Sequence, residues 1–114
     1  VEGVRRGDLV TIAVGIDYGK PRPALIIQSD VFDALSAVTV LRLSSELHDW
    51  PTFRVTVLPS AENGLRQASQ VMIDRAVSLP REKVGGVFGR VDEATMRVVS
   101  RTLAAFFALD AAAG

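Results

Sequence analysis

The sequence predicts a mainly β domain: a small, strongly curved β-barrel with one C-terminal α-helix packed on it. Three observations carry that expectation. Short apolar segments rich in Val, Ile and Leu recur up to residue 91, separated by Gly, Pro, Asn, Asp and Ser, which is the chemistry of strands and turns. From Asp92 onward the apolar spacing lengthens from two residues to between three and four, the period of an amphipathic helix. Six or so short strands laid flat would leave edges and an uncovered face, and curvature with a covering helix removes both problems.

Gly7-Asp8 leads into a first strand over residues 9–16, where Val10, Ile12, Val14 and Ile16 form an apolar face. Residues 17–21 make a loop and residues 22–28 a second strand. Residues 29–36 predict a short helical turn, capped by Ser29 or Asp30, with Val31, Phe32 and Leu35 turned inward. The third strand covers residues 38–43, followed by a loop over 44–51 and a fourth strand over 53–58. A loop over 59–67 turns at Asn63-Gly64. Residues 69–74 form the fifth strand, residues 77–79 extend the sheet, and Pro80 opens a helical turn at its first position. Residues 84–91 form a last strand loosened by glycine. Asp92 caps the helix, Glu93 suits its positive end, and Met96, Val99, Leu103, Phe106, Phe107 and Leu109 fall at helical spacing. Residues 1–110 are expected to form a single domain, with 111–114 a frayed tail.

A chain of 114 residues suits one domain with a real core, and a hydrophobic content of 48% argues against disorder. No apolar stretch reaches the ~20 residues of a membrane span and no signal-peptide pattern opens the sequence, so the expectation is a cytoplasmic protein without a membrane partner. Cysteine is absent and His48 is the only histidine. A zinc or iron centre would rest on carboxylates almost alone, and the expected chemistry uses no metal or other cofactor. Thirteen basic and thirteen acidic residues cancel, which gives no long-range pull on polyanions. Among the basic residues only Lys20 and Lys83 are lysine. Arginine suits bidentate phosphate contacts, and a GC-rich genome produces the same bias.

The step Lys20-Pro21-Arg22-Pro23 stands out locally. The two prolines fix their own φ and push Lys20 and Arg22 toward extended geometry, so Arg22 enters its strand on a stiffened backbone. A guanidinium held there makes a fork for a phosphate or carboxylate; the alternative is a salt bridge to a neighbouring loop. His48 has a side chain of the class that titrates near neutral pH, and a lone loop histidine can equally be solvated. Trp50 and Tyr18 each either stack an unpaired base or cap the barrel. Arg54 and Arg66 are candidate phosphate contacts.

Taken in order, several short pieces resemble the MazF/PemK family of toxin endoribonucleases. They are Arg6-Gly7-Asp8 entering the first strand, Arg22-Pro23 followed by Ala24-Leu25-Ile26-Ile27-Gln28-Ser29-Asp30, and Leu43-Ser44-Ser45. Pro51-Thr52, Gly64-Leu65 with Ser69, Val71-Met72-Ile73-Asp74, and the helix after Gly89-Arg90-Val91 complete the series. The resemblance implies an SH3-like barrel with a C-terminal helix, a homodimer, and metal-free cleavage of single-stranded RNA at short sequences. It implies attack of a 2′-hydroxyl on its own 3′ phosphate, leaving a 2′,3′-cyclic phosphate and a 5′-hydroxyl. A cognate MazE-like antitoxin with an acidic disordered tail is the implied partner, and DNA is contacted only through that complex.

Carried onto this chain, the resemblance makes Arg22 the charge stabiliser of the phosphorane and Ser44 the hydroxyl partner where the family usually has threonine. Ser45 can share that task, or the pair simply turns the chain at a strand end. Asp74 matches the acidic residue that some PemK-type members use as general base. Those members carry an arginine two residues earlier, where this chain has Met72. The base is therefore open among Asp74, His48 and water, and Asp74 beside Arg75 can be a structural ion pair. Lys20, Ser45, His48, Trp50, Arg54 and Tyr18 are the expected RNA contacts. Phe106 and Phe107 read as core or dimer contacts. The competing reading is a CcdB-like gyrase poison that binds protein without catalysis. It draws on residues 28–33, and the absence of a terminal Trp-Gly-hydrophobic tail argues against it.

Overall fold

The computed structural model describes residues 3–13 and 20–109, which form six strands and one helix. The strands are β1 (Asp8–Ile12), β2 (Arg22–Ile26), β3 (Ala37–Ser44), β4 (Arg54–Val57), β5 (Ser69–Pro80) and β6 (Val84–Arg90), followed by α1 (Glu93–Phe106). They lie in the order β4-β5-β3-β2-β1-β6 with antiparallel pairing throughout. The expected mainly β architecture with a terminal helix is what forms. Its hydrogen bonding stays open, with β4 and β6 as the two edges.

Strand alternation sends successive side chains to opposite faces, and both faces of this sheet are buried. Leu9, Leu25, Leu41, Leu43, Val71 and Ile73 form one core with Val99 of α1, and Met96 and Leu103 pack against it. Val10, Ile12, Ala24, Ile26, Val40 and Leu79 belong to the second core. The strand β5 contributes to both. Its register on β3 slips between Leu43↔Val71 and Leu41↔Ala76, so residues 72–75 lie against Arg42 alone. The slip reverses which face an odd-numbered residue occupies. Val71 and Ile73 therefore enter the first core while Leu79 enters the second, joined there by Val77 at its margin.

Several boundaries differ from the sequence reading for identifiable reasons. The described part of the first strand ends at Ile12, and residues 14–16 lie outside the described residues, as do Tyr18 and the 111–114 tail. β2 stops at Ile26 because the Gln28 side chain takes over as a surrogate strand: its Oε1 accepts from Thr39 N at 3.1 Å, while Nε2 donates to Phe32 O at 3.1 Å. The predicted turn is a 3-10 helix over Asp30–Phe32 capped by Ser29. Its apolar residues face outward, not inward, with Val31 82% exposed, because three residues of 3-10 helix at the rim reach neither core. β3 extends to Ser44, which is a strand residue instead of the first of a loop. Residues 69–80 form one strand where a break was expected, since the bulge absorbs the change of face. Pro80 is the N-cap of a 3-10 turn over Arg81–Lys83 instead of its first residue. Phe106, Phe107 and Leu109 are exposed and not part of the core, lying beyond the stretch of α1 that covers the sheet.

Two ends of the chain are clamped together. Asp8 is buried; its Oδ2 accepts from Arg5 N at 2.8 Å and its Oδ1 sits 2.5 Å from Arg90 Nη1. Arg90 Nη2 also donates to Arg6 O at 3.0 Å. Gly7 sits between these contacts at φ 96°, a conformation that other residues adopt only with strain. Gly64 turns the Asn63-Gly64 loop at φ 66°, and a Cβ there would meet Phe88 O at 2.6 Å. Asn63 is buried beside it, its Oδ1 accepting from Ser60 N and Leu65 N.

Replacing Asp8 by Ala is expected to destabilise the protein by about 2 kcal/mol, read by urea unfolding. The value falls below that of a fully buried pair because half-exposed Arg90 rehydrates. A second expectation concerns acid. The Thr95 side chain, and then its backbone N–H, hold the Asp92 carboxyl below its ordinary value of 3.8. A lowered folded-state value means the stabilisation is present above 3.8 and disappears as pH falls through the folded value. Unfolding titrations from about pH 5 to about pH 2 should show an acid limb that shrinks in Asp92→Asn.

Candidate functional site

The second core covers only part of its face. Toward the start of β2 and the end of β3 that face becomes polar. The ladder between β2 and β3 ends at Ala24 and Arg42; Arg22 begins β2 two residues before Ala24, and Ser44 ends β3 two residues after Arg42. Ser44 is paired with Gln70, and Gln70 with Thr56. A row Ser44, Gln70, Thr56 thus crosses three strands on the face away from α1, and alternation along β2 places Arg22 on that face with Ala24. Opposed residues in such a ladder are about 4.5–5.5 Å apart at Cα. The adjacent row carries Ala24 and Arg42, with Met72 and Arg54 paired beyond them. Val71 and Ile73 point to the helix side, and Asp74 follows them within the slipped stretch of β5.

Arg22 is half-buried at the first position of β2, opposite Ile12. Ser44 Oγ accepts from Glu46 N at 3.1 Å, an arrangement that occupies one lone pair and leaves the hydroxyl proton to donate. Asp74 Oδ2 lies 3.6 Å from Arg75 Nε, a half-exposed pair worth at most about 1 kcal/mol. Its other oxygen, Oδ1, is buried and finds no hydrogen-bond partner among the described residues. The Nε atoms of Arg42 and Arg54 share that condition. Lys20 is exposed just before β2 and Ser45 is exposed just after Ser44.

Beside the row stands an aromatic ladder. The rings of His48 and Trp50 are stacked at 3.8 Å and 3°, and Trp50 stacks on Phe53 at 5.4 Å and 22°. The Arg54 guanidinium carbon lies 5.2 Å from the Trp50 ring centroid and 5.5 Å from that of Phe53. Trp50 remains 41% exposed, so it does not cap the barrel. His48 Nε2 is 3.8 Å from Glu46 Oε1. Arg66 is exposed in the loop ahead of β5.

Residues 5–107 match the PemK-like, MazF-like toxin family of type II toxin-antitoxin systems. The chain belongs to that family. It is 39% identical over 107 residues to a probable endoribonuclease MazF of Mycolicibacterium smegmatis, covering 93% of this chain and 98% of that protein. Its fold is similar to the Mycobacterium tuberculosis toxin MazF-mt6, with TM-score 0.75 and 24% identity over 89% of this chain and 96% of that one. It is also similar to an endoribonuclease in complex with its cognate antitoxin from Mycobacterial species, with TM-score 0.79 and 23% identity over 94% and 97%. No helix among the described residues is long and apolar enough to cross a membrane.

In this MazF-like chain two polar residues inside apolar strands escaped the sequence reading, Arg42 and Gln70. The available signal was a polar residue on the face opposite the leucines and valines of its strand. Gln70 is buried and organises the loop between β3 and β4. Its Oε1 accepts from His48 N at 3.0 Å, and its Nε2 donates to His48 O at 2.9 Å and to Thr56 Oγ1 at 3.1 Å. Gln70→Ala should cost about 1–3 kcal/mol by leaving the His48 backbone unpaired. Faster amide exchange at His48, measured by NMR in the variant, checks that the loss is local.

Proposed function

We propose that this chain is an endoribonuclease toxin that cuts single-stranded RNA, messenger RNA included, at short sequences and so arrests translation and growth. The observation that carries the reading is the polar end of the sheet face away from α1, where Arg22 begins β2 and Ser44 ends β3. Its family and its 39% identical relative named as an endoribonuclease support the same reaction.

In that reaction the 2′-oxygen attacks the adjacent phosphorus, and the bond to the 5′-oxygen breaks to leave a 2′,3′-cyclic phosphate and a 5′-hydroxyl. Charge builds on the non-bridging oxygens. Arg22 stabilises it through its guanidinium, electrostatically and not as an acid, because arginine does not release its proton in this range. Ser44 adds a hydrogen bond to the phosphorane through the hydroxyl proton that its contact with Glu46 N leaves available, and the departing 5′-oxygen takes its proton from water. Asp74, His48 or a water molecule accepts the 2′ proton. The unpartnered Oδ1 supports Asp74. Against it stands position, since Asp74 is four residues along β5 from Gln70, roughly 13 Å of strand less what the bulge takes up. His48, bonded through its backbone to Gln70, lies closer to the row. The exposed Trp50 and its stacked neighbours offer a platform for an unpaired base, with Lys20, Ser45, Arg54 and Tyr18 as further contacts.

A cognate antitoxin with an acidic disordered tail is the proposed regulator, in keeping with the antitoxin complex of a protein of the same fold. A homodimer accounts for the exposed Phe106, Phe107 and Leu109. The cytoplasm is the compartment where the substrate is translated.

The purified protein should cut single-stranded RNA in EDTA, and Arg22→Ala should lower kcat by at least ~100-fold at unchanged melting temperature. The pH dependence of kcat/KM in Asp74→Asn and His48→Gln identifies the base by which variant loses the acidic limb, the fall of activity at low pH. Intact RNA together with trapped complexes of gyrase and DNA would replace this reading with the gyrase one.

A further inference from the structure

The geometry points to Arg42 as a second phosphate-binding arginine, holding the phosphodiester next to the one at Arg22; this rests on the endoribonuclease reading above. Arg42 stands in β3 between Leu41 and Leu43, both of which belong to the helix-side core, so its side chain belongs to the opposite, polar face. It is two residues from Ser44, about 7 Å along the strand, of the order of one nucleotide step in an extended chain. Its partner across β2 is Ala24, a small residue buried at the edge of the second core. On its other side the ladder slips, and residues 72–75 of β5 spread against it.

Polar atoms at this place are costly as they stand. Arg42 Nε is buried, as are Arg54 Nε and Asp74 Oδ1, and none of the three has a hydrogen-bond partner among the described residues. A buried unsatisfied polar atom costs about 1–3 kcal/mol, which a fold avoids unless something else uses the group. Packing alone does not call for an arginine here, since valine or leucine would extend the second core from Val40 without leaving an orphaned donor. A bulge opposite the residue re-aims side chains and opens the ladder, a feature commonly found beside active sites. A guanidinium offers its Nε and Nη donors to one phosphate as a fork, which lysine cannot reproduce.

The test uses the full chain and an RNA that it cuts, remade with 2′-O-methyl sugars so that it binds without reacting. Binding is followed by fluorescence anisotropy at several salt concentrations. Arg42→Gln is expected to weaken binding about tenfold and to lower the slope of log Kd against log salt by about 0.7, the share of one phosphate on a single strand. Arg42→Lys should keep the slope and recover only part of the affinity. Arg101→Gln, a charge change on exposed α1, should alter neither. Wild-type affinity and slope in Arg42→Gln would overturn the proposal, whatever the melting temperature does. If that variant does not fold, single methylphosphonate substitutions on the wild-type complex decide: weakening at neighbouring phosphates supports a second arginine, and weakening at one phosphate alone overturns it. A wild-type protein that neither binds nor cuts RNA would instead sink the nuclease reading.

Discussion

The slip between β3 and β5 is the constraint on which the rest of this fold depends. Alternation with period two would place Val71, Ile73, Val77 and Leu79 on a single face of an unbroken strand. The protein needs them on two, because one 12-residue strand must feed the core under α1 and also the core behind the sheet. Inserting residues opposite Arg42 reverses the alternation midway. A strand of half the length would supply only one core, and the sheet would lose either its helix or its second layer. The bulge also increases local twist, and among the described residues β4 and β6 stay unpaired at the edges of the sheet.

The same device decides where polar groups can live. On the helix side the apolar residues of β1, β2, β3, β4 and β5 meet Val99, Met96 and Leu103, and nothing polar is tolerated there without a partner. On the far side the apolar residues stop where the strand register changes. Arg22, Arg42, Ser44 and Gln70 occupy the remainder of that face. Gln70 shows how such a residue is accommodated, with each side-chain polar atom bonded to the loop that carries His48 and Trp50. The aromatic ladder is thereby attached to the same three-strand row as Ser44. Backbone pairing thus brings together residues that are up to about fifty positions apart in the chain.

Much of this was legible in the sequence because its signals are local. Valine-rich alternation marked the strands, Asp92 marked the helix start, and Asn63-Gly64 marked its turn. Arg22 drew notice because two prolines flank it. What escaped depends on pairing partners. A bulge leaves no residue-type signature in Val71-Met72-Ile73-Asp74-Arg75-Ala76, so the fifth strand was divided. The apolar side chains of Val31 and Phe32 carry no mark of whether the rim of the sheet will cover them, and they lie open. Arg42 drew no notice within an apolar strand, because its place depends on its neighbours across the ladder. Its counterpart Gln70 was hidden for the same reason.

Zero net charge need not weaken a claim on a polyanion when the charges are segregated. Several arginines are neutralised at a distance from the polar row: Arg90 by buried Asp8, Arg5 by Asp30, whose Oδ2 is 3.7 Å from Arg5 Nε. Arg6 is committed to the Ile27 carbonyl and to Ser100 of α1. These contacts fasten the N-terminal segment to the sheet and the helix. Glu93 spends its charge at the positive end of α1 and Asp92 on its cap. Asp8, Asp30, Asp92 and Glu93 are thus engaged in structural tasks, while Arg22 and Arg42 share the face away from α1, with Glu46 beside it through its N–H bond to Ser44. Interactions among such groups act over about 10 Å at ordinary ionic strength. Under the proposed function, the charges within that range of a phosphate bear on its contact with Arg22 and Arg42 more than the overall balance of the chain does.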